Sequence, residues 1–560
     1  MAIPDLPEMD MEKRLLLAMV LSMAVLFLFL YRQPPQPPPQ PPPTEQAIEV
    51  EETSPSVSGR ELLPPEAAEV EPTRVAHQII EIENENLLLR WSNRGGVLLS
   101  AQLKNYPTAE GNPLEIIPQK FPELQRQTLG IRVGDERLDQ RLREAVYEVS
   151  GVSGSRVRAP AEITLHYRDS VIEVSRKIRL PEAGYLVEME TEVYSQGRSI
   201  PFSVLLGPGI GEGTPSDQGD FAQSQAAYYL DGSVQRHSRD DLDEEPIRFN
   251  RGARWVAFDS KFFAYILLNP GGILGGRIAQ WEPPQGTPAG EEIDGPLLLV
   301  EVEMEEGARY SAFLGPKAYQ VLEAADATLG QLIDYGWFTF LVRPLLFSLN
   351  FIYQYLHNYG LAIILLTFGI NLVLFPVRYK QMASMKKMSE LQPQMKSIQD
   401  RYKRMKRTDP RKQKMNEEVM ALYKKHGVNP LGGCLPLVIQ MPFLFAFYRM
   451  LYSSIELRGA PFMGWIQDLS QQDPYYITPI LMGVSMVVQQ KMSPAAGDPT
   501  QRKMMMILPV VFTFFFLSFS SGLVLYFLFS NLFGMMFQFS FQRWQDLAQE
   551  VPAKKPTKKR

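Results

Sequence analysis

Apolar runs and alternating stretches occupy different regions of this chain. Leu15–Tyr31 is a continuous apolar run behind Lys13 and Arg14, within the roughly 17–25 residues that cross hydrocarbon as a helix. It leads into RQPPQPPPQPPP rather than the small residues of a signal cleavage site, which predicts an uncleaved anchor. Later runs at Leu361–Val377, Cys434–Tyr452, Tyr475–Gln490, Met505–Phe519 and Gly522–Phe541 bring the expected spans to six. The last two are parted only by Ser520 and Ser521, which predicts a tight helical hairpin. Tyr335–His357 is apolar but interrupted by Arg343 and Pro344, and its Trp and Tyr content suits a helix lying in the membrane interface.

Between the first two spans the periodicity changes. Gln33–Pro43 is a polyproline stretch, expected to be an extended spacer. The acidic run behind it lacks apolar periodicity, which reads as a disordered linker over 32–75. From about Ala76 the chain alternates with period two. ITLHYRD and VIEVSRKIRL meet at a short turn around Asp169 and Ser170, and YLVEMETEVYS follows. Such alternation, broken by Gly and Pro clusters, predicts a large antiparallel sandwich within residues 76–333.

Charge then orients the spans. The net charge of −5 hides a sorting: Arg378–Lys425 holds fifteen Lys or Arg against five Asp or Glu, and KKPTKKR ends the chain. Gly459–Pro474 has no basic residue and two aspartates, Asp468 and Asp473. The excess of positive charge on cytoplasmic loops puts the basic loop and both termini inside, and an even number of spans agrees with that. Within the loop, two polar helices are expected to meet at RTDPR, where Pro410 opens the second, giving a hairpin over 378–428. Its methionines, Met382, Met385 and Met388 among them beside Lys386 and Lys387, either pack the two helices together or form an adaptable apolar surface. With the basic face, such a surface would suit hydrophobic segments, anionic lipid or ribosomal RNA.

Candidate chemistry is sparse. Cys434 is the single cysteine, which excludes an internal disulfide or a multi-cysteine metal site. His77, His166 and His237 lack ligand spacing, and the Gly-rich Gly207–Pro215 lacks the Lys-Ser/Thr of a phosphate loop. No cofactor and no catalytic residue are expected. The feature that needs explaining lies inside the second span, where Thr367 and Asn371 sit one helical step of four apart, on one face.

NPLGGCLPLVIQMPFLFAFYRML, IELRGAPFMGWIQDLSQQDPYYITPILMG, QKMSP and SGLVLYFLFSNL together resemble the core of the Oxa/Alb/YidC membrane protein insertases, in the Gram-negative YidC form with a large periplasmic domain. The likeness runs without large gaps from about Asp334 to Arg543, and more weakly through RWSNRGGVLLSAQLKNY and DYGWF. It implies a polytopic α-helical membrane protein of six spans with a five-helix core, an all-β supersandwich in the periplasm and a cytoplasmic helical hairpin. The implied segments are an anchor at 1–31, the linker, the β domain, an insertase core at 334–543 and a basic tail at 544–560. The implied activity is insertion of membrane proteins, alone or beside the Sec translocon, through a hydrophilic groove open to cytoplasm and lipid. Expected partners are nascent membrane proteins, the Sec translocon, membrane lipids and, through hairpin and tail, the ribosome; DNA is not among them.

Thr367, Asn371, Gln440, Tyr526 and Ser530 are the expected groove residues, the alternative being that each only bonds helix to helix. Members usually carry an arginine where this chain has Asn371. Arg378, seven residues on and about 10 Å along the axis, falls near the same face at the groove mouth. It either supplies part of that electrostatic role or snorkels to headgroups. Two other readings compete. A transporter or channel would show related halves and charged span interiors, and neither is evident. A membrane-anchored enzyme would not need five further helices.

Overall fold

The computed structural model describes residues 75–550 other than 109, 120–126, 153, 208, 211–223, 243–244, 282–296, 403–410, 428–434 and 493–498. The expected anchor, most of the linker, the RTDPR turn, Cys434 and the last residues of the tail lie outside these. Pro72–Val377, Pro436–Ser493 and Pro499–Arg560 form one compact unit, and Arg378–Leu435 belongs to a second.

The first unit begins as β-structure. Among the described residues its strands form three sheets of five, ten and five strands, and every pairing there is antiparallel except one, between Ile79–Glu83 and Arg156–Arg158. In the largest sheet Ala161–Arg168, Ile172–Leu180, Leu186–Ser195, Arg309–Pro316 and Phe263–Ile273 lie side by side. Period-two alternation decides which face is inside: Ile172, Val174, Ile178 and Leu180 are buried, and their neighbours in sequence are not. The turn between the first two of these strands is set by Asp169, whose Oδ1 accepts the amides of Val171 and Ile172 at 2.7 and 2.8 Å, a local bond that favours chain reversal. Large aromatics, among them Trp91, Trp255, Phe258, Tyr265 and Phe313, fill the space between sheets.

Two short helices, α1 (Glu136–Glu144) and α2 (Tyr319–Ala325), decorate the β-structure, and the remaining chain is helical. Helix α3 (Thr339–Leu356) buries Val342, Leu345, Leu346 and Leu349 and leaves Phe340, Phe347, Phe351 and Tyr355 exposed, next to the almost fully exposed Trp337. That division makes it amphipathic, with aromatics on the free face. Helix α4 (Tyr359–Glu390) carries the second apolar run and continues unbroken into the basic segment. Helices α5 (Gln392–Tyr402) and α6 (Arg411–Lys425) form the hairpin; α7 (Leu435–Ser453), α8 (Ile477–Met492), α9 (Pro499–Phe516) and α10 (Ser521–Glu550) follow. Among the described residues, α4 and Ser521–Trp544 are long and apolar enough to cross a membrane, and Met506–Phe516 is a shorter apolar helix.

Two boundaries differ from the sequence reading. The turn between α9 and α10 is Leu517–Ser520 rather than the two serines, and Ser521 already begins α10. Leu517 and Phe519 are apolar, so hydropathy alone carries the helix through them. Likewise the hairpin does not begin its own helix at Arg378, because a change from apolar to basic side chains does not interrupt backbone hydrogen bonding.

Candidate functional site

Helix α4 starts at a built cap. Asn358 Oδ1 accepts the Leu361 amide at 2.9 Å while its Nδ2 donates to Phe462 O at 2.8 Å. The loop that supplies Phe462 also closes two more helices. Its Gln471 and Leu469 carbonyls accept the amides of Ser521 and Gly522 at 2.7 and 2.9 Å, at the start of α10. Its Asp473 opens α8, taking the Thr478 amide and hydroxyl, both at 2.8 Å, the Tyr475 amide at 3.0 Å and Trp465 Nε1 at 2.9 Å. One loop thus satisfies orphan amides at the starts of α8 and α10 and anchors the Asn358 cap of α4, so the three helices begin against the same loop.

Two turns into α4 lie Thr367 and Asn371, both buried. Thr367 Oγ1 donates to Ile363 O at 2.6 Å, and Asn371 Nδ2 donates to Thr367 O at 2.7 Å. Both bonds stay within the helix, one from the hydroxyl and one from the amide. Asn371 Oδ1 is buried and has no hydrogen-bond partner. The amide orientation is fixed by Thr367 O, because reversing it would set two carbonyl oxygens against each other. The face therefore presents a free acceptor, Oδ1.

Helix α10 packs on α4 through Phe368 against Phe533 and Phe537, with ring centres 5.2 and 6.3 Å apart, and α7 meets α10 where Phe447 stacks on Tyr526 at 4.2 Å. Tyr526 and Ser530 are both buried. Gln440 lies in α7, and its side chain is outside the described residues. Thr367 and Asn371 thus form one pair on α4, and Tyr526 and Ser530 a second on the neighbouring helix. A polar link that sequence reading missed joins α8 to α10: Asn531 Nδ2 donates to Ser485 Oγ at 3.2 Å, and Ser485 Oγ donates to Met482 O at 2.6 Å. Asn531 lies beside Ser530, and an amide within an apolar run was the available signal.

In the second unit Met388 and Met395 are buried with Leu391 and Tyr423, whose hydroxyl donates to Met395 Sδ at 2.9 Å. Arg401 pairs with Glu418 at 2.8 Å across α5 and α6. Of the remaining hairpin candidates, Met382 and Lys386 are half-buried, Lys387 is exposed, and the Met385 side chain is outside the described residues. Arg378 is half-buried on α4. Among the described residues no His, Cys, Asp or Glu cluster could hold a metal ion.

A large antiparallel β domain joined to apolar helices, two of which among the described residues are long and apolar enough to cross a membrane, fits the class of membrane proteins that carry a large extramembrane domain. Residues 79–348 match the model of the YidC periplasmic domain, and 351–549 that of the 60Kd inner membrane protein. The membrane protein insertase YidC of Syntrophus aciditrophicus (strain SB) is 34% identical over 545 residues, covering 93% of this chain and 98% of that protein. That of Citrifermentans bemidjiense is 45% identical over 303 residues, covering 54% and 55%. A crystal structure of an active YidC insertase with its first transmembrane domain resolved aligns over 86% of this chain and 94% of its own, at 18% identity and a TM-score of 0.35. The chain belongs to the YidC family of membrane protein insertases. It is an inner-membrane protein with a periplasmic domain, it inserts nascent membrane proteins, and it is not an enzyme.

Proposed function

We propose that the polar seam of α4, α7 and α10 is the path along which a nascent segment passes from cytoplasm to lipid. The observation that carries this reading is Asn371 Oδ1, a buried acceptor without a partner in an apolar helix. An unsatisfied carbonyl in hydrocarbon costs several kcal/mol, whereas water or a passing peptide amide would satisfy it. Thr367, Gln440, Tyr526 and Ser530 extend the polar lining. A wet seam partway through the bilayer shortens the apolar path a translocating tail must cross. A charge at the bilayer centre costs about 2.5–3.5 kcal/mol on insertion scales, so the saving matters.

Six spans with both termini in the cytoplasm place the loop that caps α4, α8 and α10 on the periplasmic side, where its hydrogen bonds close the seam outward. The domains follow the sequence boundaries: anchor 1–31, linker 32–75, periplasmic β domain 76–333, core 334–543 with hairpin 378–428, and tail 544–560. The exposed aromatic face of α3 rests on lipid. Asn371 carries no charge, so Arg378 and the basic hairpin with Lys386, Lys387, Met382, Met385 and Met388 supply the field and surface that receive substrate. Hairpin and tail meet the ribosome, and the core works alone or beside the Sec translocon.

A photo-crosslinking residue at position 371, in membranes presented with a ribosome-bound short membrane protein, tests the seam. The expected result is a crosslink to the nascent span and none with a soluble nascent chain. Labelling of lipid only would overturn it and leave Asn371 as a bond within its own helix.

A further inference from the structure

Helix α10 presents three faces, and its contacts identify each. Tyr526, Ser530, Phe533 and Phe537 recur at helical spacing and share one stripe. That stripe meets α7 where Tyr526 stacks on Phe447, and α4 where Phe533 and Phe537 pack on Phe368. Leu532, Met536 and Phe539 form a second stripe, apolar and exposed. Asn531, Gln538 and Gln542 form the third, and all three side-chain amides donate to α8.

The bonds to α8 make a ladder of two rungs. Asn531 Nδ2 donates to Ser485 Oγ at 3.2 Å, and Gln538 Nε2 donates to Met492 O at 2.8 Å. Both pairs are 46 residues apart in sequence, so the two helices run parallel and stay in step over two turns, about 10 Å. The first rung is directional at both ends: the Ser485 hydroxyl hydrogen is spent on Met482 O at 2.6 Å, which leaves its oxygen to accept from Asn531. The second rung uses the last residue of α8, whose carbonyl has no partner within its own helix. Gln542, one turn beyond Gln538, reaches the same carbonyl at 3.4 Å.

Apolar packing alone leaves the rotation of a helix in lipid weakly defined, because lipid tails are as apolar as the neighbouring side chains. Directional bonds at two heights fix both rotation and axial height. The setting that aims Asn531 at α8 also puts Ser530, one residue and about 100° away, on the stripe that meets α7 and α4. A turn of α10 by that angle would carry Ser530 to α8 and Asn531 to the exposed face. We propose that Asn531 and Gln538 are positioning residues for insertion: by locking α10 to α8 they hold Tyr526 and Ser530 at the seam. The inference rests on the seam being the substrate path.

Photo-crosslinking residues in place of Ser530 and, separately, of Asn371 test it, in membranes presented with a ribosome-bound short membrane protein. Asn371 is on α4, which neither rung touches, so the yield from 371 is the reference. Asn531→Leu and Gln538→Leu should each lower the ratio of the 530 yield to the 371 yield by about threefold, the scale on which one interhelical hydrogen bond biases an equilibrium in membranes. Exchanging the partners, Asn531→Ser with Ser485→Asn, rebuilds the first rung from the opposite side and should restore the ratio. A purely structural role would lower both yields together and leave the ratio where it was. If an Asn531 variant fails to fold, Gln538→Leu decides. A parent that crosslinks from 371 but not from 530, or a ratio unchanged in both leucine variants, would overturn the positioning role. No crosslink from 371 in the parent would overturn the seam itself, and the positioning role with it.

Discussion

Asp473 shows how much one side chain can hold. Burial alone would raise its carboxyl, but hydrogen bonds from the Thr478 amide and hydroxyl, the Tyr475 amide and the Trp465 indole outweigh burial and keep it below the ordinary carboxylate range. A depressed folded-state value means that the stabilisation is complete above the unfolded value near 3.9 and is lost as pH falls through the lower folded one. Neutral pH therefore leaves the cap of α8 at full strength, and only strong acid loosens it. Asp473→Asn keeps the shape but turns an N–H toward donors, at a cost of about 1–3 kcal/mol. Protection of the Tyr475 and Thr478 amides from hydrogen exchange, relative to the intrinsic rate at each pH, should be strong at pH 7 and weaker below about pH 4 in the parent protein. In the variant protection should be weak at both. Slow exchange in the variant at neutral pH would show that the loop, not the carboxylate, holds the cap. Nothing in the sequence announced this role: Asp473 was legible as a charge on an outer loop, but its donors meet only after Trp465 folds back. Thr367 and Asn371 were legible as a pair because a spacing of four is a local property of the helix.

Elements were more legible than their ends. Apolar runs located every described helix of the core, because burial and membrane crossing select the same residues that hydropathy counts. The runs could not place the turn before Ser521, nor the continuation of α4 past Arg378, since both depend on backbone bonding rather than side-chain polarity. Helix contacts were hidden for a related reason. At Gly483 of α8 an added Cβ would fall within van der Waals contact of Thr513 Oγ1 on α9 and 3.0 Å from its Cβ. Thr513 cannot readily yield, because that hydroxyl donates to Pro509 O at 2.7 Å. The glycine therefore sets how closely the two helices approach, as small residues do between helices in membranes. Gly483→Val should destabilise the protein by about 1–3 kcal/mol, the usual range for overpacking, measured as thermal unfolding in detergent. Adding Thr513→Ala should return part of the loss by removing the hydroxyl in the way. Equal stability of parent and Gly483→Val would mean that the helices part without cost.

At the scale of the molecule, the β domain and the helical core share one continuous hydrophobic cluster, and charged side chains reinforce it from both sides. Lys261, in the turn before Phe263–Ile273, places Nζ 4.4 Å from the ring centre of Tyr452 at the end of α7 and 4.6 Å from that of Phe262. Arg458, just beyond α7, reciprocates by placing Cζ 5.1 Å from the ring centre of Phe263, which Tyr106 meets edge-on at 5.5 Å. Arg343 of α3 lies 5.2 Å over Tyr319 of α2. Each cation–aromatic contact contributes about 0.5–2 kcal/mol depending on its exposure, so two or three reciprocal ones restrain the domain without fixing it irreversibly. The contacts join residues far apart in sequence, and hydropathy has no access to them. Lys261→Ala with Arg458→Ala should therefore release orientation rather than unfold either part. Spin labels, one on the β domain and one on the loop at 459–474, would report a narrow distance distribution in the parent and a broader one in the double variant, with each single variant between. The melting of the two parts should also separate, because a shared cluster alone couples them less tightly. An unchanged distribution in the double variant would assign the coupling to the apolar cluster, with the charged contacts bystanders.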